Sequence, residues 1–267
     1  MSGIKVMMTR TESYKRILGR LGYYEYQQGL IHRHLNQEDD WNSHLDKCRS
    51  FILKATDSSR PGKVTVMGSG WLLDLPLAEL LDSVSAVTLI DIIHPPEVIS
   101  QTAALEGVRL REDDVTGGLI MRTWKETRGS GLFRKMKTIR NIEIPEFLFD
   151  EDPGLLISLN IMSQLHVLPV RYLKTKSIAG DDEYEWFIRS IQQSHLNLLG
   201  KFPSVLITDT AEVFTWRKGI VTEEKSVLVD LPAGKHREEW TWDFDLKGTD
   251  FNEKRSVMKV TAVYMCQ

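Results

Sequence analysis

The stretch that decides the fold is Val64-Thr65-Val66-Met67-Gly68-Ser69-Gly70-Trp71-Leu72-Leu73-Asp74-Leu75-Pro76. It predicts a buried strand, two glycines one residue apart, and then a helix. Glycine suits such a tight turn because it adopts unusual backbone angles and, lacking a Cβ, lets a ligand approach the backbone amides. The stretch therefore predicts a ligand-binding loop at the end of a parallel strand.

Short apolar runs alternate with helical stretches around this loop, which is typical of an α/β fold with a parallel sheet. The predicted strands are Lys63–Met67, Ala86–Ile90, Val108–Glu112, Gly154–Leu159 and Ser204–Thr208. The predicted helices between them are Leu75–Leu81, Pro96–Glu106, Val167–Leu173 and Asp182–Leu199. Two further strand-like segments, Glu238–Leu246 and Val257–Met265, are separated by turn residues, so we expect an antiparallel pair there.

The N-terminal part differs because its apolar residues recur at helical spacing. One set predicts an amphipathic helix ending near Ala55: Trp41, Leu45, Cys48, Ile52 and Leu53. The aromatic and polar stretch before it, 23–34, predicts a helix with a break at Gly29. Turn residues fill 57–62 and predict a boundary. We expect an N-terminal helical extension or lid over residues 1–60 and a Rossmann-like domain over 61–267.

The composition of the 267-residue chain is that of an ordinary globular protein, and its net charge of −3 argues against a dedicated polyanion binder. Cys48 and Cys266 lie far apart, so neither a disulfide framework nor a thiolate zinc site is predicted, and no metal is expected. No segment approaches the ~20 apolar residues needed to span a bilayer. We expect a cytoplasmic protein without a membrane partner, of undetermined oligomeric state.

An acid follows the glycine loop at the distance at which dinucleotide-binding folds hold a ribose. Asp91 ends the next apolar run, about twenty residues on, where a carboxylate accepts hydrogen bonds from both ribose hydroxyls. NAD is the natural competitor, but Leu73 stands where its fingerprint has a small residue, and Asp74 adds negative charge where a diphosphate would lie. The loop therefore favours a ligand without phosphates, and the Walker pattern is also absent.

These features resemble the class I S-adenosylmethionine-dependent methyltransferases, over about Lys63 to Met265. The resemblance implies a doubly wound, seven-stranded, mostly parallel sheet with a C-terminal antiparallel hairpin, and S-adenosylmethionine as the cofactor. In that family the glycine loop contacts the methionine portion, an acid after the second strand holds the ribose, and an acid after the third meets the adenine amine. The cofactor-binding residues implied here are Gly68, Ser69, Gly70, Asp91, Ile92, Asp114, Val115 and Asn160.

The chain departs from the family pattern at two positions. Val66 stands where the family commonly carries an acid, two residues before the first glycine, and Leu72 replaces the third glycine. Asn160 ends the fourth strand, where the family often places Asp, Asn or Ser beside the transferable methyl. Neither Asn-Pro-Pro-Tyr nor Asp-Pro-Pro-Tyr occurs there, so an amino-methylating nucleic-acid enzyme of that type is not supported.

Methyl transfer needs an attacking lone pair in line with the methyl carbon, so a catalytic base is optional. His166, just past the fourth strand, is the predicted catalytic residue if one exists, because histidine titrates near neutrality. His195 falls in a helical pattern and is predicted to be a packing or surface histidine. His32 and His34, with the neighbouring tyrosines, form either a substrate lid or an aromatic helix face packed on the domain.

A local basic segment runs from Arg122 to Arg140. It is either a solvated helical face or a site for an anionic or nucleic-acid substrate, and since no RNA-recognition or helix-turn-helix signature accompanies it, nucleic acid is not favoured. We expect methyl transfer to an unidentified small-molecule acceptor. The alternatives are a nonenzymatic protein that uses the same fold for ligand sensing or protein interaction and, less favoured, an NAD-dependent oxidoreductase.

Overall fold

The computed structural model describes residues 12–129, 135–216, 219–248 and 254–266. It begins with three helices: α1 (Glu12–Leu21), α2 (Tyr23–Asn36) and α3 (Glu38–Ser59). The predicted break at Gly29 is wrong, because α2 runs through it; a single helical glycine costs only ~1 kcal/mol, which packing offsets. The chain turns instead at Gly22, whose φ is 88°. α3 also continues past Ala55 to Ser59, and Arg60 caps it in the left-handed conformation.

The sheet contains eight strands, and its main path has the order β3-β2-β1-β4-β5-β8-β7. The strands are β1 (Lys63–Met67), β2 (Ala86–Asp91), β3 (Val108–Glu112), β4 (Leu155–Leu159), β5 (Ser204–Trp216), β6 (Val221–Lys225), β7 (His236–Asp245) and β8 (Lys254–Met265). Neighbours among β1 to β5 pair in parallel. β8 pairs antiparallel with both β5 and β7. The fold is therefore the one that the resemblance implies.

The remaining helices are α4 (Leu77–Ser83), α5 (Pro96–Thr102), α6 (Leu119–Gly129), α7 (Val167–Lys176) and α8 (Asp181–Leu199). Four of them match predicted helices with shifted ends, and α6 has no counterpart among the predicted ones. The backbone N–H of Ile120, in the first turn of α6, donates to the Asp114 carboxylate at 3.2 Å. This bond fixes the start of a helix whose ends carry weak sequence signals.

β5 is longer than predicted and carries an unpredicted partner. It continues from Thr208 to Trp216, with a bulge between Asp209 and Ala211 in its pairing with β8. The extension pairs with β6, whose five residues are all exposed. A strand without a buried face shows no alternation of apolar and polar residues, so the sequence contains no period-two signal for it.

Apolar layers cover both faces of the sheet. Alternate residues of β4 point to opposite sides: Leu155 and Ile157 pack in a cluster with α3 and α4, and Leu156 packs in a second cluster with α7 and α8. α3 is thus part of the layer that covers one face. The boundary near Gly62 stays a prediction. Among the described residues, no helix combines the length and apolarity required to cross a membrane.

Candidate functional site

A cavity opens at the carboxyl ends of β1, β2 and β4, where the strand order reverses direction. In doubly wound sheets this switch point is where ligands bind. Seven of the eight predicted cofactor-binding residues line the cavity: Gly68, Gly70, Asp91, Ile92, Asp114, Val115 and Asn160. Ser69 is buried and is not among the lining residues. The structure therefore brings the implied residues together around one cavity.

The two loop glycines have different surroundings. A Cβ on Gly68, whose φ is 82°, would lie 2.7 Å from the Leu159 carbonyl oxygen and from the Ile161 Cβ. A Cβ on Gly70, whose φ is 48°, would have no heavy atom closer than the Gly68 carbonyl oxygen at 3.9 Å. Gly68 thus allows β1 and β4 to approach each other, whereas Gly70 leaves free space beside the cavity.

Asp91 holds the loop in place. Its Oδ2 accepts the N–H of Gly70 and its Oδ1 accepts the N–H of Ile92, both at 2.7 Å. Burial raises the pKa of Asp91, and these backbone N–H groups act in the opposite direction. A carboxylate offers about four lone-pair positions, so Asp91 retains acceptor capacity toward the cavity.

Asp114 is engaged mainly by its own loop. Its Oδ1 accepts the backbone N–H of Thr116 at 3.0 Å, and its Oδ2 accepts that of Ile120. Tyr23 of α2 lines the same end of the cavity, and burial together with the nearby Asp114 charge raises the pKa of Tyr23 well above its usual value. A contact of Asp114 with an adenine amine stays a prediction.

At the opposite end of the cavity the predicted residue Asn160 lies beside two polar residues, Asp74 and His44, that the sequence analysis did not assign to the site. Asn160, in the left-handed region with φ 48°, donates from Nδ2 to the Asp74 Oδ2 at 2.7 Å. The same Nδ2 lies 3.2 Å from Nε2 of His44, a residue of α3. Burial lowers the pKa of His44 to about 3, so its imidazole is neutral. His44 gave no local signal, since it reaches the cavity only through the packing of α3.

Helix α2 covers the cavity and is hydrogen-bonded to the loops beneath it. The Trp71 indole Nε1 donates to the Gln27 carbonyl oxygen at 3.1 Å. The Gln27 side-chain amide donates to the Ile93 carbonyl oxygen at 2.7 Å. Tyr23 and Tyr26 of this helix line the cavity, whereas His32 is exposed and His34 is buried. The aromatic part of α2 therefore lies over the ligand-binding loop.

His166 faces a second, larger cavity of about 980 Å³. It is not among the residues that line the first cavity. Burial lowers the pKa of His166 to about 4, and its Nδ1 has no hydrogen-bond partner among the described residues. The two cavities adjoin and share four lining residues: Tyr26, Leu30, Gln164 and Trp242. A catalytic role for His166 stays a prediction.

His195 lies outside both cavities. It is buried, and its Nε2 lies 2.8 Å from the Ser158 Oγ, which confirms the prediction of a packing histidine. In the basic segment, Arg122 pairs with Glu143, and Arg140 pairs with Asp182 at 3.2 Å. Residues 130–134 of that segment, Arg134 among them, lie outside the described residues.

No protein-family model matches the chain, and no curated protein matches it. The structure is similar to that of 1,6-didemethyltoxoflavin-N1-methyltransferase from Burkholderia thailandensis with bound 1,6-didemethyltoxoflavin and S-adenosylhomocysteine. That match has a TM-score of 0.38 and 13% identity, and it covers 95% of this chain and 90% of the other. The likeness is one of fold.

Two further solved structures give matches of the same kind. The N-methyltransferase NodS from Bradyrhizobium japonicum WM9, in complex with S-adenosylhomocysteine, matches with a TM-score of 0.37 and 12% identity over 88% of this chain and 96% of the other. A structure concerning the conversion of a disulfide bond into a thioacetal group during echinomycin biosynthesis matches with a TM-score of 0.32 and 12% identity, over 81% of each chain. Similarity at this level carries no argument about function.

Proposed function

We propose that the protein transfers a methyl group from S-adenosylmethionine to a small-molecule acceptor. The observation that carries the proposal is the position of Asp91, which faces the switch-point cavity while its oxygens accept the N–H groups of Gly70 and Ile92. A carboxylate held in this way is oriented to accept hydrogen bonds from the two hydroxyls of a ribose. Gly70, beside it, lacks a Cβ and leaves free space next to the cavity.

The charge of the cavity favours this cofactor over a dinucleotide. Leu73 and Asp74 both line the wall next to the glycine loop. A diphosphate there would face the Asp74 carboxylate, and like charges in a site with little water repel each other strongly. S-adenosylmethionine carries no phosphate, and its sulfonium and ammonium groups are positive. The residues present therefore fit it.

When bound, S-adenosylmethionine supplies an activated methyl group. The residues of the chain would orient the two reactants and exclude water, which suffices when the acceptor is already nucleophilic. Helix α2 provides the exclusion, because Tyr23 and Tyr26 close the cavity from above. Orientation comes from Asp91 and from Asn160 at the end of β4.

The acceptor is proposed to bind in the second cavity. Its volume of about 980 Å³ lies at the upper end of the range typical of small-molecule sites, roughly 300–1,000 Å³. Tyr26, Gln164 and Trp242 line both cavities and mark where the acceptor would meet the methyl group. His166 lines this cavity and is neutral at pH 7, since burial lowers its pKa to about 4, and it is the residue proposed to take up a proton from the acceptor.

Calorimetric titration with S-adenosylmethionine and S-adenosylhomocysteine tests the cofactor without knowledge of the acceptor. We expect binding of both and no competition by NAD. A folded protein that binds neither ligand, and that releases no cofactor on denaturation, would contradict the proposal. Binding without transfer of labelled methyl to any member of a metabolite mixture would favour the nonenzymatic ligand sensor.

A further inference from the structure

At its Asn160 end the first cavity presents one oxygen acceptor without a donor, beside a carboxylate. Asn160 is only 9% exposed, and its Oδ1 has no hydrogen-bond partner among the described residues. Its Nδ2 donates to the Asp74 Oδ2 at 2.7 Å, which brings the amide oxygen and the carboxylate to the same place. Both residues line the cavity. A buried acceptor without a donor is unfavourable, so the arrangement calls for a ligand that donates a hydrogen bond.

The neighbouring histidine does not meet this need. The Trp240 indole Nε1 donates to the His44 Nδ1 at 3.1 Å, so Nδ1 is an acceptor and the neutral ring carries its proton on Nε2. That Nε2 lies 3.5 Å from the Cys48 sulfur and 3.2 Å from the amide nitrogen of Asn160, which is itself a donor. The N–H of Nε2 is therefore directed at the sulfur, and the Asn160 oxygen stays without a donor.

The same tautomer argues against a metal ion here. Among the described residues, His44, Cys48 and Asp74 place their potential ligand atoms within 4.8 Å of one another. A metal on Nε2 would need a lone pair on that nitrogen, and a lone pair there requires the proton on Nδ1, where the Trp240 indole already donates. The cluster is suited to a ligand that donates hydrogen bonds.

We infer that Asp74 and Asn160 hold the α-ammonium of the methionine portion of S-adenosylmethionine. An ammonium has three donors and a positive charge, and it matches a carboxylate beside an amide oxygen. The inference rests on the proposed function. It also accounts for Val66, which replaces the acid that the family carries before the first glycine: in this chain an acid on the far side of the glycine loop, Asp74, supplies the negative charge.

The test compares three ligands that differ at the amino-acid end. Calorimetry would measure binding of S-adenosylhomocysteine, its analogue without the α-amino group, and methylthioadenosine, which lacks the amino-acid end altogether. In the natural chain we expect the desamino analogue to bind about 10- to 100-fold more weakly than S-adenosylhomocysteine, because it loses charge-assisted hydrogen bonds. Equal affinities for the two would overturn the inference without any variant being made.

The Asp74→Asn variant tests whether Asp74 is the residue that binds the α-ammonium. We expect it to weaken S-adenosylhomocysteine binding about 10- to 100-fold and to change binding of the desamino analogue and of methylthioadenosine less than about threefold. Methylthioadenosine binding also reports that the variant is folded. Asp82→Asn, an exposed acid on α4, is the matched control and should leave all three affinities unchanged.

The outcomes separate the inference from the proposed function. Asp74→Asn with unaltered S-adenosylhomocysteine affinity would refute the ammonium site while leaving cofactor binding intact. A uniform loss for all three ligands would show that Asp74 supports the loop rather than the ammonium, which also refutes it. A natural chain that binds none of the ligands would refute the proposed function, and the inference with it.

Discussion

Gly68 and Gly70 lie two residues apart and are constrained by different neighbours. For Gly68→Ala we expect a loss of stability of about 2–4 kcal/mol, because the new Cβ meets the Leu159 carbonyl oxygen at 2.7 Å and the residue has φ 82°. For Gly70→Ala we expect a loss of about 1–2 kcal/mol, from the left-handed backbone alone, together with weaker ligand binding. Urea unfolding and calorimetry would measure the two effects, and the reverse order of stabilities would contradict this reading of the loop.

Asp91 connects the loop to the ligand, so its replacement should affect both. Asp91→Ala should weaken S-adenosylhomocysteine binding by about 1.5–3 kcal/mol, because charge-assisted hydrogen bonds to a ribose are lost. It should also lower the melting temperature, since the N–H groups of Gly70 and Ile92 lose their acceptor. Calorimetry below the transition would separate the two effects, with Asp82→Ala as the exposed control. Unchanged affinity in a folded Asp91→Ala variant would remove Asp91 from the binding site.

At the scale of elements, α2 is the part whose attachment controls access to the first cavity. Gln27→Ala removes the 2.7 Å hydrogen bond to the Ile93 carbonyl oxygen but keeps the bond from the Trp71 indole, which goes to the Gln27 backbone carbonyl. One hydrogen bond is worth about 0.5–1.5 kcal/mol, so ligand dissociation should become roughly 2- to 10-fold faster. Stopped-flow displacement of a fluorescent S-adenosylhomocysteine analogue would measure the rate.

Gln28 provides the matched control for this experiment. It is the adjacent residue of α2, and its side chain is exposed. Gln28→Ala should therefore leave the dissociation rate unchanged while making the same chemical truncation. Identical rates for the natural chain and both variants would show that α2 does not limit ligand release.

The ends of strands and helices are predicted from the sequence in some cases and are set by packing in others. The predicted ends of β1 and β3 are those that the structure shows, because turn residues bound both apolar runs in the sequence. β5 runs on to Trp216 because β6 and β8 pair with its extension, and these pairings involve residues distant in sequence. The continuation of α2 through Gly29 is likewise determined by packing rather than by local propensity.

At the scale of the whole molecule, buried neutral histidines make the fold sensitive to acid. Burial lowers the pKa of His195 to about 4 in the folded protein, against about 6.5 in an unfolded chain. Between these values the unfolded chain binds one more proton than the folded protein. The contribution of His195 to the free energy of unfolding therefore falls as the pH falls. The contribution is complete above about pH 6.5 and is lost progressively toward pH 4.

The His195→Gln variant tests the direction of this pH dependence. Glutamine does not titrate but retains a hydrogen-bonding group toward the Ser158 Oγ. Between pH 7 and pH 5 we expect the natural chain to lose about 2 kcal/mol more of its free energy of unfolding than the variant loses. Urea unfolding at the two pH values would measure the difference. His32→Gln, at an exposed position of α2, serves as the control and should behave as the natural chain does. Parallel pH profiles for His195→Gln and the natural chain would contradict the assignment.

The amino-acid pattern predicts the features that depend on local periodicity and on residues close together in the chain. The alternation of buried strands and helices, the strand-glycine-helix stretch at 64–76 and the acid at the end of β2 are all of this kind. Periodicity predicts the parallel strands and the antiparallel pair, and the spacing of the glycine loop and Asp91 predicts the ligand site; each follows from a rule that acts over a few residues. The other predicted residues that line the cavity are implied by the family resemblance.

The other contacts in the cavity join residues that are far apart in the sequence, so they follow from packing in three dimensions. Asn160 meets His44 across 116 positions, and Trp240 sets the His44 tautomer across 196. The exposed strand β6 and the placement of His166 in the second cavity also have no local signal. The physical reason is that hydrogen bonding and burial depend on distance in space. A side chain such as Asp74 acquires its chemistry only when packing places distant elements against it.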